Sequence, residues 1–214
     1  MLEIEVIDTG LFSAADCAQL RCELSPAQRR ANLRYRQERD RRNHLLGRLL
    51  IKRRFARDRS FSWDQWQTRP NGKPEMSGHP RFNLSHSRQM VAAAFSDRPV
   101  GLDLEWVDAD FPMDDLRSFF HPEEQAFIAS AADSARAFYQ CWTRKEAYFK
   151  AVGTGLSARM HQINCLQDAL PGSPDWQLQS LAGPAEYALA VCSPYSAAPI
   201  VRFLDRESIQ TQGD

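Results

Sequence analysis

The chain switches between two periods of apolar residues, and the changes of period mark its elements. The N-terminal stretch MLEIEVIDTG alternates apolar and polar side chains, the pattern of a first strand. SAADCAQLRCEL then has helical spacing, with Ser13 placed as N-cap. The run from Ser25 to Ala56 continues as helix broken near Arg36 to Asp40, with Leu45, Leu46, Leu49, Leu50 and Phe55 as its buried stripe. FSWDQWQTRPNGKPEMSGHPRF has Pro and Gly at turn positions and reads as short strands and loops. MVAAAFS (90–96) reads as a strand, and GLDLEWV (101–107), after the Asp-Arg-Pro turn, as its hairpin partner or neighbour.

The second half opens with a loop, DADFPMDD, and a helix signalled by His121, Pro122, Glu123 and Glu124. SARAFYQCWTRKEAYFKAV is the longest helix of this half, with Phe138, Cys141, Trp142, Phe149 and Val152 on its core face and Gly153 and Gly155 ending it. WQLQSL and EYALAVCS read as closing strands. Both halves therefore follow one outline, a long helix, a turn-rich segment and a strand of small aliphatic residues. A duplicated two-lobed α/β fold explains that outline, and independent helix-on-sheet packing explains it too.

Composition narrows the setting. The 214 residues are 43% apolar, enough for a sizeable core, and no segment is long and apolar enough to span a bilayer. The N-terminus reads as a strand rather than a signal peptide. Five cysteines with no CxxC pair argue for a reducing compartment, and a cytoplasmic location is expected. Net charge is zero, yet residues 29–59 hold 13 of the 27 Lys and Arg against three acids, so an anionic ligand is expected there. Only four lysines occur among these bases, and Lys73, Lys145 and Lys150 are three of them.

The candidate chemistry starts at GLDLEW. Asp103 and Glu105 are two apart on a strand and so leave the same face, roughly 6–7 Å apart at Cα. Alone, such a pair reads more readily as two solvated acids on an open sheet face than as two ligands of a hard cation, but Leu102, Leu104, Trp106 and Val107 around them complicate the solvated reading. Magnesium, which takes carboxylate, phosphate and water oxygens, is the simplest partner. Glu146 and Lys150 stand at i and i+4 of the long helix, a surface ion pair or, near a metal, a ligand or base beside a phosphate-binding ammonium. Lys73, Ser85 and His86 lie in NGKPEMSGHPRFNLSHSRQM, whose loops can cradle a phosphate. Ser85 and His86 are adjacent and no nucleophile elbow is present, which disfavours a Ser-His-Asp hydrolase.

Taken in order, NGKP, FNLSHS, GLDLEW and WTRKEAYFKAVGTGL resemble the surfactin-type 4'-phosphopantetheinyl transferases, in the Trp/Lys-Glu-Ala branch, and the resemblance runs through most of the chain. It implies a pseudo-twofold monomer of two similar α/β lobes, each a small sheet packed on a long helix. The lobes would be residues 1–99, with the coenzyme A loops and basic helix, and 100–214, with the metal site and catalytic helix. It also implies transfer of the phosphopantetheine arm of coenzyme A to a serine of an apo carrier protein, with Mg2+ or alternatively Mn2+, releasing adenosine 3',5'-bisphosphate. By motif position Asp103, Glu105 and Glu146 would hold the metal, and Glu146 or a metal-bound water would deprotonate the carrier serine. Lys150 would steady the diphosphate; Gly72, Lys73, Asn83, Ser85 and His86 would grip coenzyme A, with His86 on a phosphate. Arg30 and Arg48 are candidates for the 3'-phosphate.

Two positions depart from the family pattern. Ala31 stands where a base is usual, which puts the 3'-phosphate contacts in doubt, and Arg88 stands where a glycine often follows Ser-His-Ser, which puts the loop geometry in doubt. Phe111, Met113, Leu116, Phe119 and Phe120 are expected to include carrier contacts or to pack an amphipathic helix. Two other classes answer some of the same residues: a magnesium-dependent phosphohydrolase or nuclease, and an Arg-rich nucleic-acid-binding module. The apolar stripe and the neutral overall charge argue against the second, so neither nucleic acid nor membrane is an expected partner.

Overall fold

The computed structural model describes residues 1–58, 60–154, 160–170 and 175–210. In chain order its main elements are β1 (Leu2–Asp8), α1 (Ala14–Leu20), α2 (Pro26–Leu33), α3 (Glu38–Phe55), β2 (Trp66–Thr68), β3 (Pro74–Met76), β4 (Arg81–Ser87), β5 (Met90–Ser96) and β6 (Gly101–Trp106). They continue with a 3-10 segment (Met113–Phe119), α4 (Pro122–Ser130), α5 (Ser134–Val152), β7 (Gln177–Leu181), β8 (Tyr187–Ser193), β9 (Ile200–Leu204) and α6 (Glu207–Gln210). Ser13 caps α1 in a capping box with Asp16, and His121 caps α4 with Pro122 as its first residue. Gly153 closes α5 at φ 83, and Gly155, the second expected terminator, lies outside the described residues.

The fold is mixed α and β, with two principal sheets face to face and a long helix outside each. One sheet has the order β4-β5-β1-β9 and the other β6-β8-β7. Helix α3 lays Leu45, Leu46, Leu49 and Leu50 against Ile7, Val91, Ala93 and Phe95 on the outer face of the first sheet. The inner faces meet through Leu2, Ile4, Val6, Ala92 and Ala94 on one side and Leu102, Leu104, Leu189 and Val191 on the other. Ala147, Tyr148 and Phe149 of α5 cover Leu178, Ala190 and Cys192 on the far side. Strands β5 and β8 are thus buried on both faces, which is why MVAAAFS and YALAVCS lack alternation.

The structure corrects the strand pairing. GLDLEW is not the hairpin partner of MVAAAFS: β6 pairs antiparallel with β8, whereas β5 pairs with β1 and β4. Nor are the two strands neighbours in one sheet: they belong to different sheets and meet only across the inner core. RFNLSHS is a full seven-residue strand rather than a short strand and loop. Strand β9 was not foreseen; IVRFL is a half-exposed edge strand that runs parallel to β1, and such an edge leaves little apolar pattern to read.

Gly101 sets how closely β6 approaches α5. A Cβ there would lie 2.0 Å from the Ala147 carbonyl oxygen and 2.4 Å from the Ala151 nitrogen, both backbone atoms. Gly101→Ala is therefore expected to destabilise the protein by about 3 kcal/mol, the upper range for overpacking, because a backbone contact cannot turn aside. The midpoint of urea unfolding reads this directly; a shift worth under about 1 kcal/mol would mean that helix and strand can separate freely.

Candidate active site

Asp103 is the centre of the site. It projects from β6 with only 2% of its surface exposed, and its Oδ1 accepts from the Lys150 ammonium of α5 at 2.6 Å and from the Ser85 hydroxyl of β4 at 2.8 Å. Lys150 also reaches the Ser85 oxygen at 3.3 Å. Glu105, two residues along the same strand, accepts from the Ser87 hydroxyl at 2.7 Å. The expectation that Asp103 and Glu105 share a face is met, and three elements converge on that face.

Strand β4 meets β6 through side chains rather than backbone. Asn83 Oδ1 accepts from the Leu102 amide at 2.8 Å, Ser85 Oγ from the Leu104 amide at 3.2 Å and Ser87 Oγ from the Trp106 amide at 3.0 Å. These residues alternate along the strand, so all three leave one face. His86, between two of them, points the other way, toward the α3 side.

Charge crowding shifts the titratable groups. Burial, then the Asp103 charge, pushes Glu105 up to about 7. Burial and the same charge raise Glu146. For Lys150 burial works downward, but Asp103, Glu146 and Glu105 outweigh it and its pKa rises, so the ammonium is held charged. The surrounding packing, then the Lys150 charge, lowers His86 below its ordinary range, although part of its ring meets solvent. An acid-rich face with one ammonium is short of positive charge.

Asp103, Glu105 and Glu146 suit a hard cation by donor type, and Asp103 Oδ2 is buried without a hydrogen-bond partner. Among the described residues no group of three or more His, Cys, Asp or Glu side chains is placed so that it could hold a metal ion.

The remaining expected residues are spread around this centre. Gly72 takes φ 82 in the turn joining β2 and β3, a conformation that favours glycine. Lys73 follows it and donates to the carbonyls of Val100 at 2.8 Å and Lys150 at 2.6 Å, a cation at the C-terminal end of α5. Burial, then the charges of Arg69 and Arg81, lowers Lys73 to about 8. Arg48 stacks over Trp66 with its guanidinium carbon 4.0 Å from the ring centre, and its buried Nε has no hydrogen-bond partner. Arg30 is exposed in the last turn of α2. Arg88 takes φ 51 in the β4–β5 turn, a left-handed conformation that a glycine adopts more easily. Phe120 is buried in a cluster with Phe138 and Tyr139, which removes it from the expected carrier contacts; Phe111, Met113 and Leu116 pack half-buried against that cluster.

His44 gives the site a pH signature. Its Nδ1 lies 3.2 Å from Asn32 Nδ2, which also donates to the Arg41 carbonyl, so the neutral ring accepts this contact and the charged ring cannot. Burial, then the charges of Arg48 and His86, lowers its pKa to about 4. The unfolded chain binds this proton at its ordinary pKa, so the stability contribution is present above about 6.5 and is lost as pH falls toward 4. Between pH 7 and 5 the loss is roughly 2 kcal/mol, and His44→Gln is expected to flatten that part of the urea-midpoint profile. An unchanged slope in the variant would contradict the assignment.

Comparison with known proteins gives this arrangement a family. Residues 99–192, which contain β6 and α5, match the model of the 4'-phosphopantetheinyl transferase superfamily. The chain is 32% identical over 196 residues to the 4'-phosphopantetheinyl transferase psf-1 of Bacillus pumilus, covering 84% of this chain and 83% of that one. It is 28% identical over 192 residues to the 4'-phosphopantetheinyl transferase Sfp of Bacillus subtilis (strain 168), 82% of this chain and 84% of that one. With the 4'-phosphopantetheinyl transferase gsp of Aneurinibacillus migulanus it shares 33% identity over 141 residues, 64% of this chain and 59% of that one. The match at over 30% identity runs through most of both chains and the family span carries Asp103, Glu105, Glu146 and Lys150; the chain belongs to the 4'-phosphopantetheinyl transferase superfamily.

Proposed function

We propose that this chain transfers the 4'-phosphopantetheine arm of coenzyme A to a serine of an apo carrier protein. The observation that carries the reading is the buried Asp103, held by Lys150 and Ser85, with the charges of Glu105 and Glu146 acting on it and on one another. A carrier serine oxygen would form a bond to the β-phosphorus of coenzyme A. The bond from that phosphorus to the bridging oxygen would break, and its electron pair would leave with adenosine 3',5'-bisphosphate. Displacement of this kind depends on alignment and charge neutralisation more than on covalent catalysis. A bound magnesium, held by Asp103, Glu105 and Glu146, would supply positive charge to the diphosphate.

The chain's own residues do the rest. Glu146 would accept the serine proton, and Lys150, fixed on Asp103, would hold a diphosphate oxygen as charge builds on the leaving group. His86, Arg30 and Arg48 would face the nucleotide phosphates from the α2–α3 side, with Gly72 and Lys73 shaping the edge of the coenzyme A site and Asn83 and Ser85 holding its floor against β6. Ion pairs support this reading over nucleic-acid binding: Arg42, Lys52 and Arg54 are engaged with Glu38, Glu23 and Glu3. We further propose two pseudo-twofold related lobes, 1–99 and 100–214, acting as a monomer, with β9 of the second joining the first lobe's sheet beside β1. The outer helix on each of the two facing sheets supports that symmetry. Five free cysteines agree with a cytoplasmic setting, and among the described residues no helix is long and apolar enough to cross a membrane.

Intact-mass measurement on a panel of apo carriers, incubated with the protein, coenzyme A and Mg2+, tests the reading. A gain of one arm on at least one carrier, lost with Glu146→Gln, is expected. No gain on any carrier and no coenzyme A binding would overturn it.

A further inference from the structure

Nothing in the transfer chemistry above uses Ser87, yet it holds two groups at once. Its oxygen accepts the Trp106 amide at 3.0 Å while its hydroxyl donates to Glu105 Oε2 at 2.7 Å. Ser85 repeats the arrangement one rung earlier, accepting the Leu104 amide and donating to Asp103. Asn83 completes the series on the Leu102 amide. Strands β4 and β6 belong to different sheets, so three side chains at alternate positions take the place of a backbone ladder between them. The two acidic side chains of β6 then receive the hydroxyl protons of the same residues that anchor their backbone.

We infer that Ser87 is a positioning residue for Glu105: with Asn83 and Ser85 it zips the edge of one sheet to the other and turns the Glu105 carboxylate toward the open face beside Asp103. A hydroxyl is needed because one atom must accept from an amide and donate to a carboxylate together, which neither alanine nor a backbone group does. Asp103 has Lys150 as a second partner, whereas Ser87 supplies the hydrogen bond that places Glu105. The consequence is specific to the last rung. Loss of Ser87 frees Glu105 and the Trp106 amide but leaves Leu102 and Leu104 tied to Asn83 and Ser85.

The inference rests on the proposed cation site, and its test separates the two. In Ser87→Ala the Trp106 amide is expected to exchange with solvent about tenfold or more faster by NMR hydrogen exchange, with Leu102 and Leu104 unchanged. Titration of Mn2+ in the presence of coenzyme A, followed by the paramagnetic resonance signal of free Mn2+, is expected to show about tenfold weaker binding. Ser87→Thr, which keeps the hydroxyl on a strand-favouring residue, is expected to restore both. A merely structural role would speed exchange without moving the Mn2+ affinity, and that result overturns the positioning of Glu105. Unchanged exchange at Trp106 overturns the ladder itself. A wild-type protein that binds no Mn2+ alongside coenzyme A would remove the cation site, and the inferred role of Ser87 with it.

Discussion

Replacing Lys145 with methionine is expected to destabilise the protein by about 3–5 kcal/mol, the usual cost of stranding one member of a buried ion pair. Lys145 and Glu124 have no exposed side-chain surface and meet at 2.8 Å. The ammonium also donates to the Met160 and Ile163 carbonyls, and the carboxylate accepts the amides of Cys165 and His121. One pair therefore ties the middle of α5 to the first turn of α4 and to the segment 160–165. Urea unfolding followed by tryptophan fluorescence measures the loss. The double variant Lys145→Met with Glu124→Leu is expected to regain part of it, since the stranded charge is gone. A single variant within about 1 kcal/mol of wild type would mean that the pair is not closed in solution.

Lys150→Met carries the largest expected effect on chemistry. Asp103 is buried and, among the described residues, keeps only Ser85 as a hydrogen-bond partner once the ammonium is removed, while the charges of Glu105 and Glu146 still act on it. A diphosphate bound there as proposed would then meet an acidic face without the Lys150 charge. Losing one preorganised charge donor of this kind lowers turnover by about 100- to 1000-fold. Lys150→Arg keeps the charge but exchanges a point donor for a wider planar fork, so partial activity is expected. Initial rates of carrier modification, set against the folded fraction, read the effect; a loss under tenfold would show that Lys150 serves structure alone.

The parts of this molecule that sequence reveals are those written in local periodicity. Ser13, His121 and Gly153 mark helix ends by chemistry that acts within a turn, and each stands where its residue type places it. The stripe of α3 and the shared face of Asp103 and Glu105 follow from the helical and strand periods. What could not be read was long-range. The partner of β6 is β8, some 80 residues on, and no local signal tells a strand buried on both faces which neighbour it will take. Lys145 and Lys150 show the same limit: sequence does not distinguish these two lysines of one helix, and burial reveals that one is locked on Glu124 and the other pairs with Asp103. The Asn-x-Ser-x-Ser spacing of residues 83, 85 and 87 is a visible period-two polar pattern, the signal of a strand with one polar face turned to a partner.

The central claim is that a carrier serine, and not water, receives the phosphopantetheine arm. The most direct test measures, in one reaction with coenzyme A and Mg2+, both the arm gained by a modifiable apo carrier and the adenosine 3',5'-bisphosphate released. Equal amounts of the two, both absent when the carrier serine is replaced by alanine, is the predicted result. Nucleotide release that continues with the alanine carrier, or without any carrier, would contradict the account and identify a phosphohydrolase.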